Sequence, residues 1–427
     1  MTDTRRSLRS SKHPAIARHG RLRKSSPYLL VLKFLAAATA VLLVSAASVA
    51  TIALLNLGNN ITSVALVSET DGPPPPLGSY EGGFNVLIVG SDVCEDHSGC
   101  NGRGTSELND VTLLLHVSQD QTNAVAVSIP RDMVVPIPAC PRADGKGNNH
   151  SMSAQPINVT LFYGGLPCTV LTVEALTGLT IPFAAEVKFS GVVQISTAVG
   201  GVPVCIDGPI RDRYSGFSVP AAGEYTLSGA DALSFLRTRH GVGDGSDLGR
   251  ISSQQMFLSS MVRILKQPGG TLSDPVKLFN VATVVSRNTI LSNSLKNPVT
   301  MVAMAQVLKN LQLDKVMFVQ YPGVTGQDGV YLGKVAPVKA TAAALFAKIR
   351  ADEPFVLKAG ATGVGTKVDP NAPAVVAPLP SGSPSAAVVP AAPAATAPPA
   401  TATQAAPEVL PGIEGQSAAE NTCARHN

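Results

Sequence analysis

Seven charged residues at the ends of apolar or helical runs, six of them candidates for a ligand site and the seventh Asp132, carry the chemistry that this sequence could perform. Asp92 follows Asn85-Val-Leu-Ile-Val-Gly90, Asp110 directly precedes Val111–Val117, and Arg131-Asp132 closes Ala124–Ile129 after Pro130. Arg237-Thr-Arg239-His240 ends a helical stretch and Arg250 opens the next. Ligands of open α/β sheets gather beyond the strand C-termini, so these residues are expected to converge. Several guanidiniums together suit an anion with many oxygens, because each presents a planar fork to phosphate. Two carboxylates beside such an anion need a divalent cation between them, and Mg²⁺ (or Mn²⁺) is the expected cofactor, taking carboxylate and phosphate oxygens together. Each residue also has a plainer reading. Asp92 and Asp110 fit turn and strand-cap roles, Arg131-Asp132 a structural ion pair, and Arg237 and Arg239 the complement of a helix C-terminal dipole. Arg250 alone reads as a surface residue and His240 as structural. The functional case rests on the joint pattern. No nucleotide loop, hydrolase elbow or zinc-protease motif accompanies it.

The elements that must position these residues alternate between strand and helix. Val187–Phe189, Val202–Ile206 and Val316–Val319 read as further strands. Val170, Val173 and Leu176 have helical spacing, with Gly178 as a stop. Ser228 with Asp231 reads as a capping box opening the helix that ends at Arg237. Ile251–Leu265, Pro275–Val285, Pro298–Leu311 and Val338–Ile349 read as amphipathic helices. The implied fold is an α/β/α sandwich around a central mixed β-sheet. Its strand order does not follow from the sequence.

Charge patterning sets the compartment. Residues 1–24 hold eight Lys/Arg against Asp3, and between Lys33 and Glu69 there is no charge. Phe34 to Leu57 is apolar and long enough to cross about 30 Å of hydrocarbon. With the cations on its N-terminal side, the expected topology is a single-pass plasma-membrane protein, N-terminus cytoplasmic and the rest outside. A cleaved signal peptide is the rival reading, from the small residues Ser45–Ala50, but the apolar run exceeds the usual length. Setting aside the nine cations up to Lys33 and Asp3 leaves 24 Lys/Arg against 28 Asp/Glu. A mildly acidic exported part argues against a nucleic-acid partner.

The expected organisation is a basic tail (1–33), a transmembrane helix (34–57), a Pro/Gly-containing spacer (58–83), a catalytic domain (84–352) and a Pro/Ala-rich disordered tail (353–427). The last, almost free of charge and aromatics over most of its length, has too little to bury. Six cysteines, all beyond the apolar run, fit an oxidising compartment. Cys94 and Cys100 could close a small loop. Cys168 and Cys205, flanking a helix-then-strand stretch, are the second expected pair, leaving Cys140 and Cys423. Metal binding by these cysteines has no Cys-x-x-Cys or neighbouring His pair to support it.

The ordered set of Asn85–Asp92, Asn109-Asp110, Ser128-Ile-Pro-Arg-Asp132, Ile157-Asn158 with Gly164-Gly165, Arg237–His240 and Gly245-Ser-Asp-Leu-Gly-Arg250 with Gln254-Gln255 resembles the LytR-CpsA-Psr family. The likeness covers about residues 83–266, more loosely to 352, and the Cys168/Cys205 pair and Pro/Ala tail look like its actinobacterial branch. The resemblance implies an enzyme that moves a glycan polymer from a polyprenyl diphosphate carrier to a peptidoglycan acceptor through a phosphodiester. Arabinogalactan is the natural glycan by analogy. Asp92 and Asp110 would then hold Mg²⁺. Arg131, Arg237, Arg239 and Arg250 would grip the diphosphate, with Arg131 and Asp110 at the reacting centre. The prenyl tail would lie in an apolar tunnel between sheet and helices. The chain departs from the family pattern where Cys94, Leu108 and Ser253 stand for arginines and Pro156 for a lysine. Arg103 is the candidate substitute for one. These departures keep two alternatives open, a polyprenyl-phosphate-binding protein and a polyprenyl diphosphate phosphohydrolase.

Overall fold

The structure, a computed structural model, describes residues 27–59, 61–69, 80–93, 107–142, 145–371 and 407–427. Cys94, Cys100 and Arg103 lie outside the described residues, as does the Pro/Ala-rich stretch 372–406. The chain divides into two units, Met1–Leu55 and Asn56–Asn427. Helix α1 (Pro27–Asn59) forms the described part of the first and contains the expected 34–57 run. Its side chains from Leu30 to Ser45 are all exposed.

The second unit is built on an eight-stranded mixed sheet of β1 (Thr62–Val64), β2 (Phe84–Ser91), β3 (Asn109–Val117), β4 (Ala124–Ile129), β5 (Phe183–Lys188), β6 (Thr289–Ser292), β7 (Val316–Gln320) and β8 (Gly415–Ser417). Their spatial order is β1-β6-β5-β2-β3-β4-β7-β8. Pairs β1–β6, β5–β2 and β4–β7 are parallel and the rest antiparallel. The Ala-Val-Ala-Val-Ser-Ile run of β4 is buried throughout, as a strand covered on both faces requires. The helices are α2 (Thr160–Thr177), α3 (Phe189–Ala198), α4 (Gly229–Arg237), α5 (Asp247–Lys266), α6 (Pro275–Asn288), α7 (Pro298–Asn310) and α8 (Lys339–Arg350).

Period-two alternation divides each strand between two cores. Leu87, Val89, Leu114 and Val127 pack with Val170 and Val173 of α2 and Leu345 and Phe346 of α8. On the opposite face Val86, Leu113, Ala126 and Phe318 pack with Leu258 of α5 and Met304 and Val307 of α7. A second sheet, ordered Gly223–Leu227, Val202–Ile206, Thr422–Ala424, Thr366–Val368, shares a third core with α4 and α5. The expected sandwich is therefore present, with an added sheet.

Helix α5 is not the amphipathic helix that its sequence suggests. It lies between two cores, and Ser252, Ser253, Gln254, Gln255, Ser259 and Ser260 are all buried. Their polar atoms are satisfied locally: Gln254 Nε2 donates to the Leu236 carbonyl at 2.8 Å, Gln255 Nε2 to Ser128 Oγ at 3.3 Å and Ser260 Oγ to the Pro203 carbonyl at 2.5 Å. Ser228 does cap α4, but its side chain makes no capping hydrogen bond. The strand expected at 187–189 is β5, which ends at Lys188, and Phe189 begins α3.

Three larger expectations are overturned. The spacer 58–83 is not wholly linker, because Thr62–Val64 pairs with Ile290–Ser292 as an edge strand. The tail 353–427 is not disordered throughout. Phe355–Leu357 pairs with Glu408–Leu410, Gly415–Ser417 closes one edge of the main sheet, and Thr422–Ala424 lies inside the second sheet. The apolar residues that make this possible, Leu410, Ile413 and Cys423, are few but buried. Cys168 does not pair with Cys205. Cys140 bonds Cys168, with Cα atoms 5.0 Å apart, and Cys205 bonds Cys423 at 4.4 Å. Cys168 sits on α2 in a small cluster with Ile137 and Cys140, whereas Cys205 belongs to the second sheet with Cys423 directly opposite in register. The first bridge also explains Gly164. A Cβ there would lie 2.8 Å from Cys168 Cβ and 2.9 Å from the Pro141 carbonyl, and the next residue, Gly165, needs φ +68°.

Candidate functional site

The C-terminal ends of β2, β4 and β5 and the N-terminal end of β3 share one edge of the sheet, where the charged residues meet. Asp110, second in β3, pairs with Arg131, which follows β4. The first turn of α5 supplies Asp247 and Arg250, and Ser246 caps it by accepting Gly249 N–H at 3.2 Å. Arg250 Nη2 lies 2.8 Å from Asp247 Oδ1 and donates to the Asp110 carbonyl at 2.9 Å. The same Asp247 oxygen accepts Arg239 and lies 3.7 Å from Arg131 Nε. Asp132 Oδ2 stands 3.8 Å from both Arg131 Nε and Arg239 Nη2, and its other oxygen 3.5 Å from Lys334 Nζ. The chain leaving α4 is fixed by buried Asp212, whose carboxylate accepts the main-chain N–H of Arg239 at 2.9 Å and of His240 at 3.1 Å.

Among the described residues four cations thus meet three carboxylates, an excess of one positive charge. Arg131 Nε and Arg250 Nε are, among the described residues, buried donors without a hydrogen-bond partner, and Asp247 Oδ2 is a buried acceptor without one. An unmet buried polar atom costs about 1–3 kcal/mol, so an arriving oxygen anion would relieve the two guanidiniums. Burial alone would raise the Asp110 carboxyl, but Arg131, Arg250 and Arg239 outweigh it and hold the group below the usual range, ionised at neutral pH. Arg131 is favoured as a cation because Asp110 and Asp247 outweigh its burial. For Arg250 burial dominates and lowers the pKa, with Asp247 offsetting part of it, yet a guanidinium remains charged.

The cluster opens on an apolar cavity of about 300 Å³ between β2, β3 and β5 on one side and α3, α4 and α5 on the other. Ile88, Val111, Val192, Leu233, Leu258 and Met261 line it, and Asp110, Arg237 and Arg250 give it a polar end. The Arg237 guanidinium lies 4.7 Å above the Phe189 ring, which also lines the cavity. A larger cavity of about 420 Å³, lined by residues such as Tyr321, Phe346 and Arg350, shares no residue with the ion-pair cluster.

Of the six residues singled out in the sequence, Asp110, Arg131, Arg239 and Arg250 come together directly. Arg237 joins them through the cavity wall. Asp92 Oδ1 accepts Leu108 N–H at 2.7 Å beside the bulge at Gly90/Ser91, joining the end of β2 to the residues that lead into β3. Asp247 and Lys334 were missed as site residues. The i,i+3 spacing from Asp247 to Arg250 was a readable signal for one of them. Lys334 had none, being 202 residues from its partner Asp132.

Residues 57–345 match the LytR_cpsA_psr family. The chain belongs to that family. Two relatives show how the LytR_cpsA_psr match extends. "Cell wall biosynthesis protein LcpA" of Corynebacterium glutamicum is 30% identical over 280 residues, covering 58% of this chain and 51% of that protein. The polyisoprenyl-teichoic acid–peptidoglycan teichoic acid transferase TagT of Bacillus subtilis is 27% identical over 290 residues, covering 66% and 83%. A solved LytR-Csp2A-Psr enzyme from Actinomyces oris superposes with a TM-score of 0.49 at 21% identity, over 67% of this chain and 96% of that one. The chain spans about half the length of the Corynebacterium relatives that it matches. The resemblance drawn from six short motifs is borne out by the LytR_cpsA_psr match. That match stops before Thr366–Val368, Gly415–Ser417 and Thr422–Ala424.

Proposed function

We propose that this LytR_cpsA_psr protein transfers a glycopolymer from a polyprenyl diphosphate carrier to peptidoglycan. A peptidoglycan hydroxyl oxygen attacks the phosphorus that bears the glycan, the bridging P–O bond breaks, and polyprenyl phosphate leaves. The hydroxyl proton passes to solvent or base. One observation carries the reading: Arg250, a guanidinium with an unmet buried Nε, stands with Arg237 and the Arg131-paired Asp110 at the polar end of an apolar cavity. That pairing suits an amphiphile with a multiply charged head and a hydrocarbon tail. The name of TagT, a polyisoprenyl-teichoic acid–peptidoglycan transferase, supports the same class of substrate, and that of LcpA a part in cell wall biosynthesis.

Phosphoryl transfer needs alignment and charge neutralisation more than covalent chemistry from the protein. Arg131, Arg239 and Arg250 would supply fixed donors to non-bridging oxygens, and Arg237, placed between head and cavity, would orient the carrier. Asp247 and Asp132 keep the guanidiniums from separating in the absence of ligand. Asp92 and Asp110 would hold Mg²⁺. Both offer only oxygen, and Asp110 is held ionised, which fits a hard cation. When bound, Mg²⁺ would neutralise diphosphate charge.

The same reading gives α1 its role. Thirty-three residues of helix span about 50 Å, enough to cross a bilayer, and the exposed apolar face would be covered by lipid. The preceding cations put the N-terminus in the cytoplasm. A reporter fused after residue 80 should then work only outside the cytoplasm, and activity of a cytoplasm-dependent reporter would overturn this topology.

The chemical test is Arg131→Ala and Arg239→Ala in a transfer assay with prenyl diphosphate donor and peptidoglycan fragments, folding being checked by circular dichroism. Loss of one donor to developing charge is worth about 10²–10³ in rate. Full activity in both variants would remove the cluster from the reaction. Phosphate release without acceptor would favour the phosphohydrolase, and binding without turnover the carrier.

A further inference from the structure

The loop from Arg239 to Arg250 carries three members of the ion-pair cluster, yet only one side of it is held by the family-like part of the chain. Asp212 grips the main chain at Arg239 and His240 from that side. The other side is covered by residues beyond the family match. Gly243 N–H donates to the Arg425 carbonyl at 2.8 Å, Arg425 N–H donates to the Gly365 carbonyl at 2.9 Å, and Val242 bridges His426. The contact is close. A Cβ on Gly365 would lie 1.9 Å from the Gly249 carbonyl, and one on Gly243 would lie 2.7 Å from the Val364 carbonyl. Gly243 itself has φ +59°, so the loop turns where only glycine fits both the backbone and the neighbour.

This covering layer is fastened behind the loop. Cys423 is bonded to Cys205, and Asp207 accepts His426 N–H at 2.7 Å while pairing with Lys367 at 2.7 Å. Segment 421–427 is thereby locked to the strand Val202–Ile206, and segment 361–369 to 421–427 through the Lys367–Cys423 pairing and to Asp207 through Lys367.

We propose that residues 361–369 and 421–427 form a clasp that sets the conformation of the Arg239–Arg250 loop, and so brings Arg239, Asp247 and Arg250 to Arg131. Residues of the clasp are positioning residues. They reach the ligand site through the main chain of Gly243 and the first turn of α5. The consequence for diphosphate binding rests on the proposed function, but the positioning of the loop does not.

Hydrogen exchange on the full chain in detergent separates the two. Gly365→Ala forces the clasp away from Gly249, and the double variant Cys205→Ser/Cys423→Ser releases its fastening without leaving a free thiol. In each, amides of 239–250 should exchange about tenfold faster, while β2 and β4 keep wild-type protection, as expected for a local opening. Affinity for farnesyl diphosphate, measured by calorimetry on the same samples, should fall about tenfold with the loop. Unchanged exchange at 239–250 in both variants overturns the proposal. Equal loss of protection in β2 and β4 also overturns it, since the segments would then be general supports of the fold. Wild-type protein that fails to bind farnesyl diphosphate would refute the ligand reading while the exchange data still judge the clasp.

Discussion

Asp247→Asn is the sharpest probe of the ion-pair cluster, because it removes charge without removing shape. Three guanidiniums face this carboxylate, but they are not equivalent. The Arg250 and Asp247 side chains are 4% and 6% exposed, whereas Arg131 and Arg239 are 22% and 24% exposed. Pairs that reach solvent contribute about 0–1 kcal/mol each. Removing one partner of a buried pair costs about 3–5 kcal/mol, because the other charge is left uncompensated. Loss of a negative charge at the start of α5 adds about 0.3–1 kcal/mol. The Arg250 pair therefore decides the outcome. Since the amide oxygen of Asn still accepts a hydrogen bond, the expected loss is near the lower limit, about 3 kcal/mol. Urea unfolding of the full chain, followed by circular dichroism, measures it as a shift in midpoint at constant slope. Pyrophosphate should restore more stability to the variant than to the wild type, since it replaces the lost anion. A loss below about 1 kcal/mol would show that Arg250 does not depend on Asp247, and the account of the cluster would fail.

Leu233→Trp should fill part of the apolar cavity, raising KM for long prenyl donors while leaving kcat with short ones unchanged, as read from a donor chain-length series. Burial, helped by Glu107 beside it, pushes the Glu186 carboxyl up to about 8. A raised carboxyl contributes stability that is present below its unfolded value near 4.5 and lost as pH rises through 8. Glu186→Gln should flatten that decline in a plot of melting temperature against pH. Cys140→Ser/Cys168→Ser opens a loop with a sequence separation of 28 and should lower stability by roughly 3–4 kcal/mol in denaturant unfolding.

What the sequence disclosed follows from how local its signals are. The strands β2, β3 and β4 carry continuous apolar runs, and the arginines stand at their ends, so the site edge could be placed before the sheet order was known. Asp247 stands in the same Gly245–Arg250 motif as Arg250 but was given no role, and a carboxylate in a first helical turn is also what the helix dipole favours, so its type and place alone mark no site. Lys334 and the Cys205–Cys423 bridge depend on contacts across 202 and 218 residues, which no periodicity reports. The composition of 369–427 was averaged over a Pro/Ala-rich stretch, and its few anchoring residues, Leu410, Ile413 and Cys423, were lost in that average. Helix α5 misled for the opposite reason. Its serines and glutamines face two cores and are buried by hydrogen bonding, so polarity there does not mark a solvent face.

The central sheet ends on both sides in strands of three residues, β1 and β8. Without them the outermost members would be β6 and β7, and β7 reads Val-Met-Phe-Val-Gln, apolar and uncharged. An open edge of that kind is a template on which a second copy can add its own strand, the first step towards aggregation. Strands as short as β1 and β8 present few unsatisfied amides and break the template. The two peripheral segments therefore act as guards on the sheet. Residues 84–352 alone would expose both flanks, and should scatter light in proportion to concentration where residues 61–427, likewise without α1, stay dispersed.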